Sequence, residues 1–227
     1  MKLPNKVGWV KFRKSRDIEG IIKNCTVSFH NERWHISFQT EQVTSRPEHR
    51  STSAVGVDMG VKQFIALSTG EMKAPKSPLK KYQDKLASAQ RKLAKKTKFS
   101  NNWKKQKAKI NRIHTKIANI RRDFLHKTST ELSKNHALIV IEDLKVKNMT
   151  RSAKGTLDEP GRNVKAKSGL NKSILDQGWY EFRRQLEYKQ KWAGGEVLAV
   201  PVHHTTPSLR FENLSKLSIT CQYKAAA

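Results

Sequence analysis

Cysteine is almost absent from this chain, with Cys25 and Cys221 the only two. Two thiols so far apart supply neither a disulfide framework nor a four-ligand zinc site, so zinc is not expected. Acidic residues are scarce as well. Asp and Glu number 19 against 46 Lys and Arg, leaving a net charge of +27 and a pI near 10.3. That imbalance predicts a polyanionic partner bound in a salt-dependent way, with nucleic acid ahead of an anionic membrane surface. Long apolar runs are missing too. No stretch approaches the roughly 20 residues of a membrane span, and no signal peptide leads the chain. The expectation is therefore a soluble protein without a membrane partner, in the cytoplasm and close to the nucleoid. No internal repeat is visible.

What the chain does have is order in its apolar positions. Ile21, Lys23, Cys25, Val27 and Phe29 share one parity, and Trp34, Ile36 and Phe38 resume it after a polar turn at Asn31-Glu32. Alternation of this kind predicts a half-buried β-hairpin, to which residues 8–12 add a strand. Residues 42–53 then turn polar around Pro47 and a Ser/Thr cluster and read as a linker. A small β module over residues 1–45 is thus expected ahead of the main domain.

Two apolar runs follow, each ending in an acid. Asp58 stands in Ala54-Val55-Gly56-Val57-Asp58-Met59-Gly60-Val61, and Glu142, 84 residues later, in Ala137-Leu138-Ile139-Val140-Ile141-Glu142-Asp143-Leu144. Residues 64–67 return as a strand after a turn at Gly60, while residues 138–141 read as a central parallel strand buried on both faces. Carboxylates at the ends of neighbouring buried strands are held rigidly enough to share a divalent cation, as in a metal-dependent nuclease core. Asp143 competes with Glu142 for that role, because strand register read from sequence is uncertain by about a residue.

Between the two acids lie two helical patterns. Tyr82, Leu86, Ala89 and Leu93 recur at helical spacing, as do Ile110, Ile113, Ile117, Ile120 and Phe124, which predicts an antiparallel helical hairpin over residues 78–134 with its loop near residues 95–102. Its polar faces carry one sign. From Lys76 to Lys127 there are eighteen Lys and Arg against Asp84 and Asp123 alone, so this segment holds sixteen of the twenty-seven net positive charges. A solvated helix ordinarily interleaves signs for i,i+4 pairing, and unmatched like charge favours contact with polyphosphate. Lys92, Lys95, Lys96, Lys98, Lys104, Lys105, Lys107, Lys109, Arg112 and Lys116 are the candidate nucleic-acid-binding residues. Such contacts position a backbone without reading base sequence. Phe99 and Trp103 in the loop either stack on a base or pack the helix tip.

Beyond Glu142, residues 145–170 read as a loop rich in glycine and lysine. Leu175, Trp179, Phe182 and Leu186 mark one amphipathic helix ended by Gly194-Gly195, and residues 196–200 form a last strand. Strand, helix and strand imply a right-handed parallel crossover, hence an α/β core.

Taken together, several segments resemble the OrfB/TnpB proteins of bacterial insertion sequences, transposon-encoded RNA-guided DNA endonucleases related to type V CRISPR effectors. They are Val55-Gly56-Val57-Asp58-Met59-Gly60-Val61, Ile139-Val140-Ile141-Glu142-Asp143-Leu144-Lys145-Val146-Lys147-Asn148-Met149 and Trp179-Tyr180-Glu181-Phe182-Arg183-Arg184-Gln185-Leu186-Glu187-Tyr188-Lys189. Gly8-Trp9-Val10-Lys11-Phe12-Arg13-Lys14-Ser15-Arg16 resembles that family's wedge-domain strand. The resemblance implies a RuvC-like, ribonuclease H-like nuclease domain over residues 54–202 behind a partial wedge-type β-barrel. It also implies DNA and guide RNA as partners, and Mg²⁺ or Mn²⁺ held by Asp58 and Glu142 as catalytic carboxylates.

Departures from the family pattern concern both ends. The resemblance leads one to expect a recognition region ahead of residue 1, and a zinc ribbon with a third catalytic acid after Val200. Residues 203–227 instead read as a divergent tail in which Glu212 is the only carboxylate and neither Cys-x-x-Cys pair occurs. Adjacent His203 and His204 point oppositely on an extended segment and read as a solvated pair. The expectation is a truncated form, either an endonuclease with reduced activity or a nuclease-dead binder of RNA or DNA.

Overall fold

The computed structural model describes residues 2–3, 8–30, 33–43, 45 and 47–201. Residues 203–227, with His203, His204, Glu212 and Cys221, lie outside the described residues, as does the turn at Asn31-Glu32. Among the described residues no helix is long and apolar enough to cross a membrane. The chain separates into two compact units after Arg46.

In the first unit, β1 (Lys2–Leu3) pairs with β2 (Gly8–Trp9), and β3 (Ile21–His30) pairs antiparallel with β4 (Arg33–Glu41). The strand expected over residues 8–12 ends at Trp9. Register sets Val27 opposite Ile36 and Cys25 opposite Phe38, so Cys25, Val27 and Phe29 line one face with Trp34, Ile36 and Phe38, but a bulge between Ile22 and Asn24 breaks the parity expected to continue to Ile21 and Lys23. That face is only partly covered. Ile36 and Phe38 are half-buried, with Phe12 against Phe38 at 5.5 Å between ring centres, while Phe29 and Trp34 stay exposed. Among the described residues of this unit the ribbon has no full second layer over it, which is why the half-buried hairpin read from alternation is mostly exposed.

The second unit is a mixed α/β fold around a five-stranded sheet. Its strands are β5 (Ala54–Met59), β6 (Ile65–Leu67), β7 (Met72–Lys73), β8 (Leu138–Glu142) and β9 (Glu196–Val200), in the order β7-β6-β5-β8-β9. β8 runs parallel to both β5 and β9, and β6 returns antiparallel to β5. Val55, Val57, Ile139 and Ile141 form one buried face with Leu125, Leu132, Phe182 and Leu186. Phe64 makes edge contacts with Phe124 and Phe182 at 4.9 and 5.0 Å. Buried apolar area of this kind is the main stabilising term for such a core.

The helical hairpin is α1 (Pro78–Ala94) and α2 (Asn101–Asn135). Its apolar seam has two destinations. Leu86, Ala89, Leu93, Ile110 and Ile113 pack helix on helix, whereas Phe124, Leu125 and Leu132 belong to the sheet core. About 52 Å of helix, at 1.5 Å per residue, therefore spans from the core to a distant tip.

Two expectations for the C-terminal half need correction. Residues 145–170 contain α3 (Val146–Met149) and the start of α4 (Val164–Gln177), and the single amphipathic helix is two, because α5 (Trp179–Ala193) begins after Gly178. Gly178 has φ 74°, and a Cβ there would sit 3.1 Å from the Arg121 side chain. Only glycine holds that left-handed break at so close an approach. Gly194, φ 81°, ends α5 as expected.

Asp176, at the end of α4, ties the hairpin to the core. Its side chain is 5% exposed and accepts from Arg121 Nη2 at 2.5 Å and from the Leu79 amide at 2.9 Å. Ser77 gives α1 no side-chain cap, so this distant carboxylate satisfies an orphan amide of its first turn. Removing Arg121 strands a buried charge. Arg121→Met is expected to lower stability by about 3 kcal/mol, read as a shifted urea midpoint at unchanged slope.

Candidate metal and nucleic-acid site

Strand pairing brings the two acids together. β5 and β8 pair in parallel as far as Val57 opposite Ile141, and Asp58 and Glu142 are the next residues of the two strands, at the same offset of 84. In-register neighbours of a parallel sheet project to the same face, with their strands about 4.8 Å apart. Glu142 is 4% exposed and ends its strand, while Asp58 is half-buried.

Asp143 lies one residue past the strand and is engaged elsewhere. Its Oδ1 accepts from Arg183 Nη1 at 2.6 Å, and Arg183 Nε donates to Glu187 at 2.8 Å. The Glu187 and Asp143 carboxylates together raise the Arg183 pKa above its already high ordinary value. Of the two adjacent acids, register thus aligns Glu142 with Asp58.

A pair of oxygen donors suits a hard divalent cation such as Mg²⁺ or Mn²⁺ better than zinc, which favours nitrogen and sulfur. Among the described residues, no group of three or more His, Cys, Asp or Glu gathers around a common point. The donors at hand fit one hydrated cation and fall short of a pair of ions.

Glu142 also walls a cleft of about 590 Å³ with Met59, Leu144, Lys145, Lys147, Trp179, Tyr180, Arg183 and Arg184. Its cations escape the sequence reading, which follows charge density along the hairpin. The signal that could have found them is the Arg183-Arg184 pair one turn after Trp179-Tyr180. Arg184 chelates Glu181 through both carboxylate oxygens and holds that acid down at about 2.

The hairpin cations are spread over a second surface. Lys92, Lys95, Lys98, Lys104, Lys105, Lys107, Lys109, Arg112 and Lys116 are exposed and Lys96 is half-buried. Lys92, Lys109 and Arg112 flank a groove between α1 and α2, and Lys116 lies over the Tyr82 ring at 5.4 Å. These residues are displayed along two helices and are not gathered around one point.

The family model OrfB_IS605, described as "Probable transposase", matches residues 37–153, which take in Asp58, the hairpin and Glu142. This chain belongs to the OrfB_IS605 family. Its curated relatives include "Putative RNA-guided DNA endonuclease InsQ" of Escherichia coli (strain K12), 56% identical over 224 residues, covering 96% of this chain and 56% of that protein. At that coverage the match runs past Val200 into the segment expected to be divergent. A "Putative RNA-guided DNA endonuclease" of Streptomyces pristinaespiralis is 36% identical over 189 residues, 83% of this chain and 41% of that protein. The OrfB_IS605 chain thus spans about half the length of the curated relatives it matches. A chain of a cryo-EM CRISPR-Cas12f ternary complex overlaps 74% of this chain and 32% of its own length at 16% identity and a TM-score of 0.39, too distant to carry an argument.

Proposed function

We propose that this chain serves RNA-guided cleavage of DNA through a metal-dependent, RuvC-like nuclease domain over residues 54–202, with a wedge-type β module over residues 1–45 ahead of it. The observation that supports this reading is the parallel register of β5 and β8, which runs to Val57 opposite Ile141 with Asp58 and Glu142 as the next residue of each strand. Asp58 and Glu142 would hold Mg²⁺ or Mn²⁺, which when bound activates water and stabilises the leaving oxygen of a phosphodiester. The two carboxylates supply the fixed negative charge that localises the cation, and the buried strands beneath supply rigidity. Arg183 keeps the neighbouring Asp143 paired and so out of competition. The basic hairpin, residues 78–134, holds nucleic-acid backbone, guide RNA or DNA, through phosphate contacts.

A second reading is favoured by the donor set itself. Two carboxylates leave a two-ion site incomplete, so the chain could serve as a nuclease-dead binder with the same partners. Residues 203–227 contribute only Glu212 as a further carboxylate.

The metal assignment is tested by titrating the purified chain with Mn²⁺ and following free Mn²⁺ by electron paramagnetic resonance. One weak site is expected, lost in Asp58→Ala and in Glu142→Gln and retained in Asp143→Asn. Retention of the site in Asp58→Ala would refute the assignment.

A further inference from the structure

The tip of the hairpin presents an aromatic pair that lies outside the apolar cluster joining α1 and α2. Phe99 is 73% exposed and Trp103 half-buried, with ring centres 5.5 Å apart, and Lys107 lies 5.0 Å over the Trp103 ring. Neither aromatic belongs to the apolar cluster that joins α1 and α2, so packing of the tip does not account for them. A single exposed Phe is common on protein surfaces and by itself signifies nothing. Here three further features coincide.

The first is fixation. Ser100 caps α2 by accepting from the Trp103 amide at 3.2 Å, its hydroxyl donates to the Thr97 carbonyl at 2.8 Å, and the Lys96 amide bonds the Leu93 carbonyl. These bonds order the backbone on either side of Phe99. The second is backbone conformation. Phe99 has φ 65°, a left-handed region that bulky residues seldom occupy, so the ring is displayed at a local cost. The third is charge, for no acid occurs between Asp84 and Asp123 while Lys95, Lys98, Lys104 and Lys105 flank the pair in sequence and are exposed. An apolar platform set in cations matches a ligand with flat faces on an anionic chain.

We propose that Phe99 and Trp103 form a stacking platform for an unpaired base of a single-stranded nucleic-acid segment, whose flanking phosphates lie on the tip lysines. It rests on the phosphate-binding reading of the hairpin and adds to it a preference for exposed bases over bare backbone. Stacking engages the face of a base and so tolerates any sequence, and it requires a base free of a paired partner. Lys107, held over Trp103, strengthens the platform by a cation–π contact.

The experiment measures binding of the full chain to twelve-nucleotide RNA and DNA oligonucleotides, to the same backbones with abasic positions at the centre, and to inorganic polyphosphate. The wild type should prefer base-bearing over abasic strands roughly tenfold, the factor that about 1.4 kcal/mol of stacking gives. Phe99→Ala should erase that preference in whichever of the RNA and DNA arms shows it, with polyphosphate affinity unchanged. Phe99→Leu, which keeps an apolar side chain without a ring, should behave like Phe99→Ala. Equal wild-type affinity for base-bearing and abasic strands overturns the proposal, and so does an equal loss in Phe99→Ala across all three ligands. Failure of polyphosphate to bind at all defeats the phosphate reading of the hairpin and takes this proposal with it, whereas polyphosphate binding without base preference defeats the platform alone.

Discussion

Replacing Lys104, Lys105, Lys109 and Lys116 together by Gln should weaken nucleic-acid binding on the order of a thousandfold near 0.1 M salt. All four are exposed on one helix in a stretch without carboxylates, so in the free protein their charges repel one another. Each phosphate contact releases about 0.9 of a condensed counterion, and that release is what gives binding its salt dependence. Loss of four contacts should therefore flatten the slope of log affinity against log salt by about three to four units, alike on unrelated duplex sequences. Helical content should hold, because Gln is nearly as good a helix former as Lys. A slope that does not change would show that the hairpin is a charged coiled coil without a phosphate ligand.

Cleavage is the second large effect, and the expected result is its near absence. The purified chain, given a guide RNA of the kind proposed above and a matched plasmid across a range of Mg²⁺ and Mn²⁺ concentrations, should leave the plasmid essentially uncut. Two-metal hydrolysis holds its ions about 4 Å apart, and two carboxylates offer too little negative charge to offset the repulsion between two dications at that distance. Glu142 is buried and ends β8, and Asp143 is committed to Arg183, so among the described residues no third acid beside them completes the set. Asp58→Ala serves as the control for contaminating nuclease. Robust cutting that disappears in Asp58→Ala would show that Glu212 or another acid completes the site, and would exclude the nuclease-dead reading.

Much of the site is legible in the amino-acid sequence because its determinants are local. An apolar run of β-branched residues ending in an acid fixes both the strand and the place of the carboxylate at its end, as at residues 138–142. Helical spacing of Leu86, Leu93, Ile110 and Ile113 likewise marks a hairpin. Other features are hidden by the same logic. The apolar spacing from Leu175 to Leu186 continues smoothly across Gly178, so a period-based reading joins α4 and α5, while the left-handed break is a backbone event at one residue. β7 is two residues long and exists only by pairing with β6, and no two-residue segment carries a period.

By itself, the sequence determined the sign and density of charge, the two acid-ended strands and the helical pair, because composition and short-range periodicity act within a few residues of themselves. Tertiary structure alone decided which acid faces which. A shift of one residue in the pairing of β5 and β8 would move the carboxylate beside Asp58 to the opposite face, and nothing local excludes Asp143. It also decided that the seam of α2 serves two cores, since Ile110 and Leu125 share a period and differ only in what the fold packs against them. Asp176 capping α1 from 97 residues away follows from the same cause, because a buried carboxylate takes the donors that the assembled fold places beside it.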